Sequence, residues 1–104
     1  QGHAQIVVNM VDFGMNVQAA GDAARFHHEQ ADEPTALGKM TDGGLLQVES
    51  GVPIEVVRDL EARGQTVEYT TGPFGGYQAI YRDPETGVYW GASEMRKDGH
   101  AAGY

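Results

Sequence analysis

The polar positions Gln5, Asn9, Asp12 and Asn16 are spaced by four, three and four residues. At about 100° per residue they fall within a stripe of roughly 60° on a helical wheel. Ile6, Val7, Val8, Met10, Val11, Phe13, Met15 and Val17 take most of the remaining circumference. The spacing predicts a helix from Gln5 to about Ala24 that needs cover on more than one side. Gly14 lies inside it and costs about 1 kcal/mol relative to Ala. A break is therefore expected there, with Asn16 capping a short second helix.

Arg25 to Glu29 reads as a short extended piece. Gln30 to Gly44 holds Pro34, Gly38, Gly43 and Gly44 and reads as loop. Leu45 to Glu49 alternates weakly and reads as a strand ended by Ser50-Gly51. The clearest helix runs from Pro53 to Arg63. Pro53 suits the first helical position and Gly64 the position just past the end. Glu55 in the first turn and Arg63 in the last match the helix dipole. Val56, Val57 and Leu60 form an apolar face, and Asp59 and Arg63 are spaced as an i,i+4 pair.

Three strands are predicted after it: Thr66 to Thr71, Gly76 to Arg82 and Val88 to Ser93. Asp83-Pro84-Glu85-Thr86-Gly87 joins the last two. Pro84 presets φ for a turn and Gly87 accepts positive φ at the return, so these strands form a hairpin. The tail from Glu94 to Tyr104 is small and polar. Neither an internal repeat nor a linker divides the chain. The order predicts an α+β layer of mixed helices with mostly antiparallel strands.

Composition narrows the function. The chain has 104 residues, enough for one domain or part of one. Seven Lys and Arg face 15 Asp and Glu, a formal net charge of −8. Such a surface repels phosphate, which argues against nucleic acid and anionic membrane as partners. No stretch approaches the 18 or so apolar residues of a membrane span, and no signal peptide is visible. Without cysteine there is no disulfide, thiolate metal site or cysteine nucleophile. The chain opens on Gln1 rather than Met, and is expected to be a processed piece, a subunit or a fragment.

Few residues invite chemistry. His27 and His28 are adjacent on a predicted strand and face opposite sides, so they do not converge on a metal. Their spacing matches no zinc pattern. His3 and His100 read as surface residues. Gly72-Pro73-Phe74-Gly75-Gly76 lacks the Lys-Ser/Thr ending of a phosphate loop and precedes a strand, so it reads as a tight turn. Ser50 and Ser93 lie in no nucleophile motif. Asp12, Asp22, Glu29 and Glu94 read as ion-pair members, with Arg25 and Arg96 as their natural partners. An Arg–carboxylate pair holding the tail down is favoured over acid–base catalysis.

The wording of two blocks carries a more specific signal. Val8 to Glu29, VNMVDFGMNVQAAGDAARFHHE, resembles the small-subunit segment of γ-glutamyltranspeptidases with its FGMN and RFHH runs. Gly87 to Tyr104, GVYWGASEMRKDGHAAGY, is similar to that family's ending, with GAS, an Arg and a final AGY. Pro53 to Gly64, continuing into Val67, and Gly76 to Ile80 resemble its helix and strand between them. The likeness runs in order along essentially the whole chain.

The resemblance implies an N-terminal-nucleophile hydrolase with a four-layer αββα fold, of which residues 1–104 would be the C-terminal segment of the small subunit, an incomplete single domain. It implies a precursor that cleaves itself to expose a Thr, which attacks a γ-glutamyl carbonyl with its own α-amine as base. The acyl group then passes to water or an amino acid, while glycine amides stabilise the oxyanion. Those groups match positions upstream of Gln1. No catalytic residue, cofactor or metal ligand is therefore carried over, and the isolated chain is expected to be inactive. The implied partners are the rest of the precursor and a small γ-glutamyl substrate. The implied setting is periplasmic or secreted, with the cytoplasm as alternative. Ala24 replaces the family's Pro, and Glu94-Met95 its Asp-Pro, which points to a divergent, acylase-like branch. Two other readings stay open: an amidase of the same fold acting on other acyl amides such as β-lactam side chains, and a non-catalytic binding or structural module.

Overall fold

The computed structural model describes residues 1–29 and 43–103. The loop expected from Gln30 lies outside the described residues up to position 42, as does Tyr104. The elements run α1 (Gly2–Val11), α2 (Val17–Asp22), β1 (Phe26–Glu29), β2 (Leu45–Val48), α3 (Ile54–Ala62), β3 (Val67–Tyr69), β4 (Gln78–Arg82) and β5 (Tyr89–Ser93). The chain divides into two compact units, residues 1–23 with 74–104, and residues 24–73.

In the first unit the expected break is present. Helix α1 begins three residues earlier than its polar stripe suggests and ends at Val11, with Gly14 at φ 65° just beyond. A side chain is disfavoured at that angle, so glycine is the residue that lets the chain turn. Asn16 then caps α2, its Oδ1 accepting from the Ala19 amide at 2.8 Å. Asn16→Ala should cost about 1 kcal/mol, read as a lowered denaturant midpoint with unchanged slope; an unmoved midpoint would mean the cap adds nothing.

The hairpin pairs β4 with β5 antiparallel, from Gln78 opposite Ser93 to Arg82 opposite Tyr89. Its turn is fixed by Asp83, whose Oδ1 accepts from the amides of Glu85 at 2.8 Å and Thr86 at 3.3 Å, and Gly87 takes φ 74°. These hydrogen bonds hold the Asp83 carboxyl below its usual range, the Glu85 amide first among them. Ile6, Val17, Ala20, Tyr77 and Ala92 form the core between the helices and the hairpin, with Met10, Met15 and Ala79 packed against it.

The second unit carries a three-stranded sheet in the order β1-β2-β3. Strand β1 runs antiparallel to β2, with Phe26 opposite Val48 and Glu29 opposite Leu45. Strand β3 runs parallel to β2. Of the three pairings among the described residues, two are therefore antiparallel, as expected, and one is not. The exception has a plain cause: parallel neighbours need a long crossover, and α3 supplies it.

Helix α3 ends at Ala62, one residue earlier than expected, so that Arg63 is its C-cap rather than part of its last turn, while Gly64 closes it as predicted. Gly64 takes φ 93°, its amide donates to Glu61 O, and the Gln65 amide donates to Leu60 O. This is the paired C-terminal arrangement that glycine permits. Pro53 sits one place earlier than expected, at the N-cap. Val57 is buried and Leu60 half-buried, but Val56 is exposed. The Asp59–Arg63 pair forms at 2.9 Å on the surface, where it contributes little.

Candidate functional site

The most highly organised polar cluster lies in the first unit, where β5 passes into the tail. Glu94 is buried at 4% exposure. Its Oε2 accepts from the Arg96 guanidinium at 2.7 Å, and its Oε1 from the Tyr77 amide at 3.2 Å. The same guanidinium donates to Gly21 O at 2.9 Å and Ala23 O at 3.0 Å. These carbonyls close α2, where a helix leaves acceptors unsatisfied and favours a cation. One planar fork thus joins the last turn of α2 to a buried carboxylate, a geometry guanidinium suits and ammonium does not.

Neighbouring groups tighten the cluster. Tyr77 Oη donates to Val17 O at 3.0 Å. Gln18 meets Ser93 as a strand neighbour would: its Nε2 donates to Ser93 O at 2.9 Å and its Oε1 accepts from the Ser93 amide at 3.2 Å. Gln18 Nε2 also donates to Asp22 Oδ2 at 2.9 Å.

The electrostatics oppose acid–base work here. Burial pushes the Glu94 carboxyl up, but the hydrogen bonds from Arg96 and the Tyr77 amide, with the Arg96 charge, outweigh it and leave Glu94 below its ordinary value. It stays ionised at neutral pH, charge-paired rather than ready to exchange a proton. Because the folded value is the lower one, the pairing stabilises fully above the unfolded Glu pKa of about 4.3. It is lost as pH falls below that through the folded value. Glu94→Gln should flatten this part of the acid stability profile in denaturant titrations at stepped pH; an unchanged profile would exclude Glu94 as its source.

Each of the other candidates has its own place. The expected Arg–carboxylate pair is Arg96 with Glu94. Asp22 meets Gln18 instead, and the Arg25 amide meets Glu49, whose Oε2 accepts it at 2.8 Å. His27 lies opposite Gln47 and His28 opposite Leu46, on alternate faces of β1. The His28 ring Nε2 lies 2.8 Å from Gly43 O. His3 and His100 are exposed, and Ser50 also. No helix follows Gly72 to Gly76; Gly72 and Gly75 take positive φ and Phe74 is buried, as in a tight turn. Among the described residues no group of three His, Cys, Asp or Glu is placed to hold a metal, and no helix is long and apolar enough to cross a membrane.

Sequence reasoning missed Tyr77, Gln18 and Glu49. Gln18 carried a local sign, its i,i+4 spacing to Asp22, but nothing local points to Ser93, 75 residues away.

Apolar side chains stand exposed on the first helix, the one predicted to need cover on more than one side, and on the hairpin as well. On and beyond α1, Val11 is 75% exposed and Phe13 70%; on the hairpin, Ile80 is 77% exposed and Trp90 57%. A groove of about 760 Å³ includes Met10, Met15, Val17, Tyr81, Asp83 and Trp90 in its lining.

A family model described as gamma-glutamyltranspeptidase matches residues 1–104. The glutathione hydrolase proenzyme of Escherichia coli (strain K12) is 37% identical over 101 residues, 96% of this chain and 15% of that protein. Among solved structures, cephalosporin acylase from Bacillus halodurans superposes with a TM-score of 0.79 at 38% identity, covering 99% of this chain and 17% of that one. The gamma-glutamyltranspeptidase from Pseudomonas nitroreducens gives 0.74 at 26% identity, covering 99% of this chain and 48% of that one. The chain thus spans 14–15% of the length of the curated relatives it matches.

Proposed function

Because this chain belongs to the γ-glutamyltranspeptidase family of N-terminal-nucleophile hydrolases, we propose that it is a supporting part of an enzyme cleaving γ-glutamyl amides of the glutathione type. In that enzyme a Thr freed by self-cleavage attacks the γ-glutamyl carbonyl, and its own α-amine takes the proton. Backbone amides stabilise the oxyanion that develops. The C–N bond then breaks, the departing amine takes that proton, and the acyl group passes from the Thr oxygen to water or to an amino acid. None of these groups belongs to residues 1–104. The first unit of this chain contributes two helices and a hairpin, with Arg96, Glu94 and Gln18 tying α2 to the hairpin and tail.

The observation that carries the reading is the end-to-end family match. The buried cluster supports it: Glu94 is committed to Arg96 and unavailable as a base. The exposed apolar side chains of α1 and the hairpin agree, since such surface is ordinarily covered.

A second reading has its own support. The 38% identity to the cephalosporin acylase equals, within a point, the 37% to the glutathione hydrolase proenzyme, and Glu94-Met95 departs from the family's Asp-Pro. An acylase of the same fold would take the acyl side chain of a β-lactam in place of γ-glutamate.

Assay of the whole protein on γ-glutamyl p-nitroanilide and on an acyl β-lactam separates the two readings. The first requires release of nitroaniline, the second of the free β-lactam nucleus, and turnover of neither substrate overturns both. An electrophilic γ-glutamyl analogue should label a peptide outside residues 1–104, as found by mass spectrometry. Purified residues 1–104 alone should turn over nothing; label or turnover within them would place the chemistry here and refute the supporting role.

A further inference from the structure

We draw no further inference here: the strongest candidate, the apolar groove between the end of α1, the start of α2 and the β4–β5 hairpin, has the one carboxylate of its lining, Asp83, turned into its own hairpin turn, and nothing in the structure shows what covers it.

Discussion

Replacing Arg96 by alanine is expected to destabilise the protein by about 3–5 kcal/mol, the range for removing one member of a buried ion pair. Three acceptors lose the guanidinium together: Glu94 Oε2, Gly21 O and Ala23 O. Glu94 has no exposed side-chain surface and Arg96 only 10%, so water does not readily take the guanidinium's place. The pH response distinguishes this from generic loosening. With Arg96 gone, the burial that pushes Glu94 up loses its main opponent. Its folded pKa therefore rises relative to that of the unsubstituted protein. The stabilisation that the substitution removes is one that acid removes anyway, so the defect should shrink on acidification. Pairing Arg96→Ala with Glu94→Gln should cost less than Arg96→Ala alone. Arg96→Lys should recover only part of the loss, because an ammonium lacks the fork. Chemical denaturation at neutral and acid pH measures each term. A loss under about 1 kcal/mol, typical of solvated pairs, would show that the cluster is open to water.

Gly21→Ala is the second large effect, and its sign decides between two forces. Intrinsic propensity predicts a gain, since Ala exceeds Gly in a helix by about 0.8–1 kcal/mol. Packing predicts a loss. A Cβ at Gly21 would collide with Cδ1 and Cε1 of the Tyr77 ring. The ring cannot easily withdraw, for its hydroxyl is bonded to Val17 O and its amide to Glu94. Overpacking of this kind costs about 1–3 kcal/mol, so a net loss is expected, measurable as a lowered unfolding temperature. Tyr77→Leu in the same chain should make Gly21→Ala less harmful. A raised unfolding temperature for Gly21→Ala alone would mean that α2 and Tyr77 are less closely packed than the structure has them.

Local rules governed the parts that could be read beforehand. Pro84 and Gly87 marked the hairpin, Gly14 the break after α1, Asn16 the cap and Gly64 the end of α3, each through a backbone preference that acts within a few residues. Boundaries were less legible. Strand β3 covers only Val67–Tyr69 of the expected Thr66 to Thr71, and β4 starts at Gln78 rather than Gly76, because strand ends depend on which partner carbonyl is within reach. The parallel pairing of β2 with β3 escaped a reading weighted toward hairpins, although the intervening helix was its signature. In the polar cluster, Arg96 and Glu94 could be named as partners from composition, but their targets could not. Gly21 O and Ala23 O are backbone groups some 75 and 73 residues distant, and no side-chain pattern announces a carbonyl.

The Arg96 contacts also bear on the order of events at the ribosome. The unit they close consists of residues 1–23 and 74–104, so α1 and α2 emerge from the exit tunnel long before the hairpin and tail that cover them. Their apolar side chains must wait through the synthesis of some fifty intervening residues, whereas the β1-β2-β3 sheet is contiguous and can assemble on its own schedule. Chain-closure entropy grows only slowly with length, about 0.6 kcal/mol per doubling, so lengthening that middle stretch should scarcely weaken the finished unit. Premature termination is another matter: a nascent chain stopped before Arg96 leaves the end of α2 unclamped and its greasy neighbours available to chaperones.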